Sequence, residues 1–225
     1  KMSTYPILYS LRQCPYAMRA RLSLLLAGQK VRLRDIDMNN KPEALMTASA
    51  KGTVPVLIVA SSAIETPPYV VDESLEIMLW ALNKHDPHNL LLKEDLNGLD
   101  NMLSLIHESD VDFVSQLYKY KAASRYRDSD KVHYREQCAP FIEAIEQRLT
   151  THTFLMRNKP SLADYALLPF LRQFSKVERK WFLQAPLPKL QQWLSRLYQQ
   201  AVYSKAMTPI AKYAVGQTDF IFGLD

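Results

Sequence analysis

Glycine is scarce in this 225-residue chain: Gly28, Gly52, Gly98, Gly216 and Gly223 are all there are. Dinucleotide-binding folds need Gly-x-Gly-x-x-Gly after a strand, and P-loops need Gly-x-x-x-x-Gly-Lys-Ser/Thr, so this spacing argues against both chemistries. Cysteine is scarcer still, and Cys14 and Cys138 are too few for a disulfide framework. No basic stretch followed by an apolar signal core stands near the start. The longest apolar runs, 22–27 and 54–60, fall far short of the roughly 18 residues that span a bilayer. A reducing, cytoplasmic setting with no membrane span is therefore expected. His85, His88, His107, His133 and His152 show neither His-Glu-x-x-His nor Cys/His ligand spacing, so no metal is expected. Gly-x-Ser-x-Gly is missing too, which removes the usual serine-hydrolase elbow.

What is present is an ordinary globular composition, 48% apolar and 23% charged. At about 150 residues per domain it makes one large domain or two modest ones. The net charge of +5 and the basic, aromatic run 118–135, with Lys119, Lys121, Arg125, Arg127, Lys131 and Arg135, invite a nucleic-acid reading. Asp128, Asp130 and Glu136 interrupt that run, and a solvated helix end with its loop accounts for it better. No nucleic-acid partner is expected, while a patch for a small anionic ligand stays open.

The first part of the chain alternates strand and helix signals: strands at 5–10, 31–37, 54–59 and 69–71, and helices at 15–27, 41–50 and 74–84. The strand at 69–71 is only long enough for an edge, and 61–68 is a Pro-rich connection. The order is βαβαββα. From 93 onward the periods are helical, with helices expected at 95–120, 131–150, 161–178 and 188–200 and a short one near Ser204. Pro140 and Pro169 fall inside two of them. Ser161 with Asp164 three residues on forms a capping-box pattern. The expected organisation is an α/β domain over 2–85, a linker at about 86–92 and an all-helical domain over 93–225.

The sharpest local feature is Cys14-Pro15-Tyr16-Ala17, between the first strand and the first helix. A thiol at a helix start faces amides without partners and the positive end of the helix dipole, both of which favour thiolate. Its pKa is expected to fall. A thiol near 8.5 is only a few per cent ionised at pH 7, whereas one near 6 is roughly 90% ionised. Pro15 suits the first helical turn. With Ala17 in place of a second cysteine there is no resolving partner nearby, and Cys138 reads as a packing residue, so an external thiol must complete any redox cycle.

Two further features bear on binding. Pro55, at the mouth of a strand, is either an ordinary trans proline or a cis one that leaves the backbone of Val54 open to an extended ligand. Asp72-Glu73-Ser74 lies where a strand enters a helix. Amides and a hydroxyl there suit a ligand carboxylate and an acid suits its ammonium group, although such residues also serve as plain caps.

Taken in order, Cys14-Pro15-Tyr16-Ala17, Asn40-Lys41-Pro42-Glu43, Val54-Pro55-Val56-Leu57, Glu73-Ser74 and Ser161-Leu162-Ala163-Asp164-Tyr165 resemble the cytosolic glutathione transferases, most of all their omega-type, cysteine-using branch. The likeness runs to about residue 205. It implies a thioredoxin-like α/β domain with a mixed sheet ahead of an all-α domain, glutathione as cosubstrate and a homodimer. It further implies that Cys14 forms a mixed disulfide with glutathione and that Tyr16 packs beside it. Lys41 would take the glycine carboxylate, Val54 the cysteinyl backbone next to a cis Pro55, and Glu73 with Ser74 the γ-glutamyl head. A second-substrate pocket is expected near the turn after Tyr9 and helices 95–120 and 161–178, with Phe113, Tyr120 and Trp181 as candidates beside their plainer core role. Residues 208–225 are left without an assignment.

Three functions compete. A thiol transferase would use Cys14 to take a glutathionyl group from a disulfide substrate, or reduce a dehydroascorbate-type molecule. A conjugating transferase would activate the glutathione thiol with a hydroxyl such as that of Tyr9 or Ser10 for attack on an electrophile. A binding or scaffold module would keep the fold with little catalysis. Cys14 favours the first, because it would compete with a bound glutathione thiolate for space and charge.

Overall fold

The computed structural model describes residues 5–60 and 67–224, so most of the connection at 61–68 lies outside the described residues. The chain forms two compact units, residues 1–88 with 201–225, and residues 89–200.

The first unit is built on a five-stranded mixed sheet of order β4-β3-β1-β2-β5. Its strands are β1 (Ile7–Ser10), β2 (Val31–Asp35), β3 (Val56–Val59), β4 (Tyr69–Val71) and β5 (Phe220–Phe222). Strands β1 and β2 run parallel with Leu8 opposite Leu33, while β3 is antiparallel to β1 with Leu57 opposite Leu8. The parallel pair needs a crossover, which α1 (Pro15–Leu26) supplies. Its alanines, leucines and arginines are strong helix formers and Pro15 starts it. Gly28 ends it with φ +64°: the Gly28 amide bonds the Leu25 carbonyl and the Gln29 amide the Leu24 carbonyl, a Schellman stop. Nearly every residue of α1 is buried, Arg19 and Arg21 included. Helices α2 (Glu43–Ala48) and α3 (Ser74–Lys84) complete the expected βαβαββα order.

The second unit holds α4 (Gly98–Glu108), α5 (Val114–Arg125), α6 (Lys131–Thr151), α7 (Leu162–Val177), α8 (Arg179–Gln184) and α9 (Pro188–Tyr198). The expected continuous helix at 95–120 is divided by a π-helical turn, Ser109–Phe113. Helix α7 is buried along almost its whole length, and the capping box at its start forms: Asp164 Oδ2 accepts from the Ser161 amide at 2.8 Å and the Ser161 hydroxyl at 2.9 Å. The basic run 118–135 covers the end of α5, a loop and the start of α6, and both Lys131 and Arg135 bind Glu178.

The tail departs from expectation. The helical domain does not run on to residue 225: α10 (Ala201–Ala206) and β5 return to the α/β unit. Strand β5 pairs antiparallel with β2, Val31 opposite Phe222. Asp219 clamps Arg34 of β2 through both carboxylate oxygens, at 2.7 and 3.1 Å. A free sheet edge invites non-native pairing, and β5 covers this one. Among the described residues no helix is long and apolar enough to cross a membrane.

Candidate functional site

Strand β1 delivers the chain to a turn at 11–13, closed by the Cys14 amide on the Leu11 carbonyl at 3.0 Å. Cys14 then occupies the N-cap of α1 in an extended conformation, its carbonyl accepting the first helical bond from Met18 at 2.9 Å. It is half-buried against a core of Tyr9, Ala17, Ile36, Leu45, Val54 and Val56. Its sulfur lies 3.9 Å from the Val54 carbonyl. The Val54–Pro55 peptide is cis.

A cavity of about 290 Å³ is lined by Tyr16, Lys51, Thr53, Val54, Pro55, Asp72, Glu73 and Ser74; Cys14 is not among the lining residues and meets them through its contact with the Val54 carbonyl. Five expected residues, Tyr16, Val54, Pro55, Glu73 and Ser74, thus share one cavity. Ser74 opens α3, whose first-turn amides have no acceptor within the helix. Its hydroxyl accepts from the Arg19 guanidinium at 3.4 Å, and the same guanidinium lies 5.7 Å from the centre of the Tyr16 ring. Buried Arg19 therefore ties the start of α3 to α1 from behind the cavity.

Lys41 is not among the lining residues. It is exposed, and its ammonium approaches Gly52, where an added Cβ would stand 3.4 Å from it and 3.0 Å from the Met46 sulfur. Gly52 adopts φ +61°, so both backbone and space call for glycine. The cation that does line the cavity is Lys51, which the sequence reading passed over. It pairs with Glu73 and, at 3.5 Å, with Asp72. Asp72 also accepts from the Ser49 hydroxyl at 2.8 Å; that bond above all, with Lys51 behind it, holds its carboxyl below the ordinary value. The hydrogen bond to Glu73 in turn lifts the Lys51 ammonium above its usual range. A lysine directly before a glycine at a strand mouth was the available signal.

Both hydroxyls considered for conjugation are buried and engaged: Tyr9 with Arg34 at 3.0 Å, Ser10 with Arg21 at 2.7 Å. Cys138 is buried in the helical unit and desolvation pushes its thiol up to about 12, in keeping with packing. Of the aromatic candidates, Phe113 stacks on Phe141 with ring centres 4.6 Å apart, and Tyr120 is buried with its hydroxyl on Glu178 at 2.7 Å. Both belong to the helical core. Trp181 lines a cavity of about 410 Å³ in that unit, shared with Arg135, Ile142, Phe174 and Leu187. Among the described residues no group of three or more His, Cys, Asp or Glu could hold a metal ion.

Residues 8–89 match the family model described as glutathione S-transferase, N-terminal domain, and residues 119–196 the model for its C-terminal domain, together well over half the chain. The chain belongs to the glutathione S-transferase family. This glutathione S-transferase is 27% identical over 199 residues to glutathione S-transferase omega-1 of Mus musculus, an alignment covering 87% of this chain and 78% of the mouse protein. Its fold superposes on a glutathione transferase family member from Pseudomonas fluorescens, crystallised with two glutathione bound, with a TM-score of 0.79 at 12% identity over 92% and 94% of the two chains. Glutathione transferase Omega 1C from Trametes versicolor matches with a TM-score of 0.74 at 20% identity over 92% of each chain.

Proposed function

We propose that this enzyme is a glutathione-dependent thiol transferase of the omega kind with Cys14 as its nucleophile. The observation that carries the reading is the place of Cys14: the N-cap of α1, with its sulfur 3.9 Å from the carbonyl of Val54, a residue that lines the cavity, while the Tyr9 and Ser10 hydroxyls are committed elsewhere. A helix N-terminus favours the thiolate, the form that attacks.

The Cys14 thiolate attacks the glutathionyl sulfur of a mixed disulfide, forming a Cys14–glutathione disulfide and releasing the substrate thiolate, which takes up a proton. A second glutathione, as thiolate, attacks the glutathionyl sulfur of that disulfide, giving oxidised glutathione and restoring the Cys14 thiolate. Reduction of a dehydroascorbate-type substrate would use the same residue. The cavity suits glutathione: an amino-acid head finds a carboxylate in Glu73 for its ammonium group and the Ser74 hydroxyl with α3 amides for its carboxylate. Val54 offers backbone groups to the cysteinyl part. Lys41, reaching toward Gly52 next to Thr53 of the cavity, remains the candidate for the glycine carboxylate. A homodimer in a reducing compartment completes the reading.

The test compares two assays on wild type and Cys14→Ser: release of a small thiol from its glutathione mixed disulfide, and conjugation of glutathione to an aryl halide. The reading predicts thiol release that Cys14→Ser abolishes. Conjugation that survives in Cys14→Ser, with no thiol release from wild type, would move the function to conjugation; neither activity, with glutathione bound, would leave a binding module.

A further inference from the structure

Arg21 is a buried cation that the reaction above does not use. It stands on α1 about two turns beyond Cys14 and is 2% exposed. Its guanidinium donates to the Ser10 hydroxyl at 2.7 Å, the Leu11 carbonyl at 3.2 Å, the Arg12 carbonyl at 2.6 Å and the Ala206 carbonyl at 2.8 Å, and meets the Met207 sulfur at 3.8 Å. Every one of these acceptors is neutral. Asp35, the acid whose field reaches it, is itself paired with the Lys212 ammonium at 2.7 Å. Among the described residues no carboxylate makes an ion pair with Arg21.

A charge buried among neutral dipoles is costly unless an anion stands near it. Besides Asp35, which Lys212 already neutralises, the group acting on Arg21 that can become one is the thiol of Cys14. Three of the acceptors, Ser10, Leu11 and Arg12, form the turn that leads into it, and the Leu11 carbonyl that takes a bond from Arg21 also takes the Cys14 amide at 3.0 Å. Ala206 and Met207 close the cage from the tail, which gives the returning C-terminal segment a part in the nucleophile's surroundings.

We infer that Arg21 is the buried counter-charge of the Cys14 thiolate and the positioning residue of the turn that presents it. This rests on the reading of Cys14 as nucleophile. Burial draws the Arg21 guanidinium down to about 10, against the opposing pull of Asp35 and Cys14, so it is still charged at neutral pH. The charged groups that act on the Arg21 guanidinium are Asp35 on β2, the Cys14 thiol and Arg12 in the turn, with Lys212 of the tail paired to Asp35.

The experiment is the pH profile of Cys14 alkylation by iodoacetamide, followed by intact mass, in wild type, Arg21→Gln and Arg21→Lys, with circular dichroism to establish folding. Glutamine keeps two donors for the turn and loses the charge; lysine keeps the charge and loses the planar fork. The expected result is a midpoint that rises in Arg21→Gln, slowing alkylation at pH 6 by about tenfold for each unit of rise, and stays near wild type in Arg21→Lys. A folded Arg21→Gln with the wild-type profile overturns the inference, since a merely structural arginine would change the melting temperature and not the profile. If Arg21→Gln does not fold, the lysine variant decides: a profile that moves up with the charge retained overturns the counter-charge. A wild-type profile with its midpoint at an ordinary thiol value removes Cys14 as an activated nucleophile, and Arg21's role with it. Activated alkylation that is unmoved in Arg21→Gln removes only Arg21.

Discussion

Asp164 is a buried hydrogen-bonding hub of the helical unit. It is fully buried and its two oxygens accept four hydrogen bonds: the Leu155 amide at 3.0 Å and the Trp193 indole at 2.7 Å on Oδ1, the Ser161 amide at 2.8 Å and hydroxyl at 2.9 Å on Oδ2. One carboxylate therefore joins the start of α7, the segment before it and α9. Alanine would leave two amides and an indole without acceptors in a dry interior. Each buried donor so orphaned costs about 1–3 kcal/mol, and because the losses overlap the total should be about 3–5 kcal/mol. In a chain of this size that lowers the melting temperature by roughly 6–20 °C. Asparagine should fall between, since its oxygen can keep the Leu155 and Trp193 bonds while its amino group faces the Ser161 amide. Urea and thermal unfolding of Asp164→Ala and Asp164→Asn read this directly. A cost below about 1 kcal/mol for Asp164→Ala would refute the account of a carboxylate as the hub of this unit.

Three further predictions concern the other unit and the thiols. Native protein should react with a thiol reagent at pH 8 through one cysteine and denatured protein through two, because burial holds the Cys138 thiol up at about 12; two fast thiols in the native protein would contradict this. The hydrogen bond from Arg34 holds the Asp219 carboxyl below the usual 3.8, so its contribution is full above that value and fades as pH falls through the lower folded value. Asp219→Asn should then be less stable than wild type by about 1 kcal/mol at pH 7 and converge with it near pH 2, as urea unfolding at the two pH values would show. Glu73→Gln should raise the KM for glutathione about three- to tenfold with kcat little changed, given a charged hydrogen bond at a well-exposed site; an unchanged KM would remove Glu73 from the binding site.

Legibility in the sequence followed the range of the interaction that decides each feature. The strand at Tyr69–Val71, the helix at Ser74–Lys84 and the capping box at Ser161 and Asp164 rest on neighbours within a turn or two, and they stand where their patterns put them. Strand β5 is three apolar residues, Phe220–Phe222, too short to carry a period; it exists because β2 offers an open edge and Arg34 a partner for Asp219. The π-helical turn at Ser109–Phe113 was hidden because residues on either side keep a helical period. At the candidate site, Cys14 at a helix start, Pro55 at a strand mouth and Glu73 with Ser74 at a strand-helix junction are local patterns and Tyr16 comes in through the family resemblance, whereas Lys51 meets Asp72 and Glu73 only through tertiary contact. Nothing local marks Arg21 either, because its partners come from the turn at 10–12 and from the tail at Ala206.

The most direct test of Cys14 as nucleophile is the intact mass of the protein after incubation with oxidised glutathione, for wild type, Cys14→Ser and Cys138→Ser. A single glutathionyl adduct on wild type and Cys138→Ser, missing from Cys14→Ser and removed by added glutathione, is the predicted result. A Cys14 that takes up no adduct while the protein still binds glutathione would contradict the thiol-transfer mechanism.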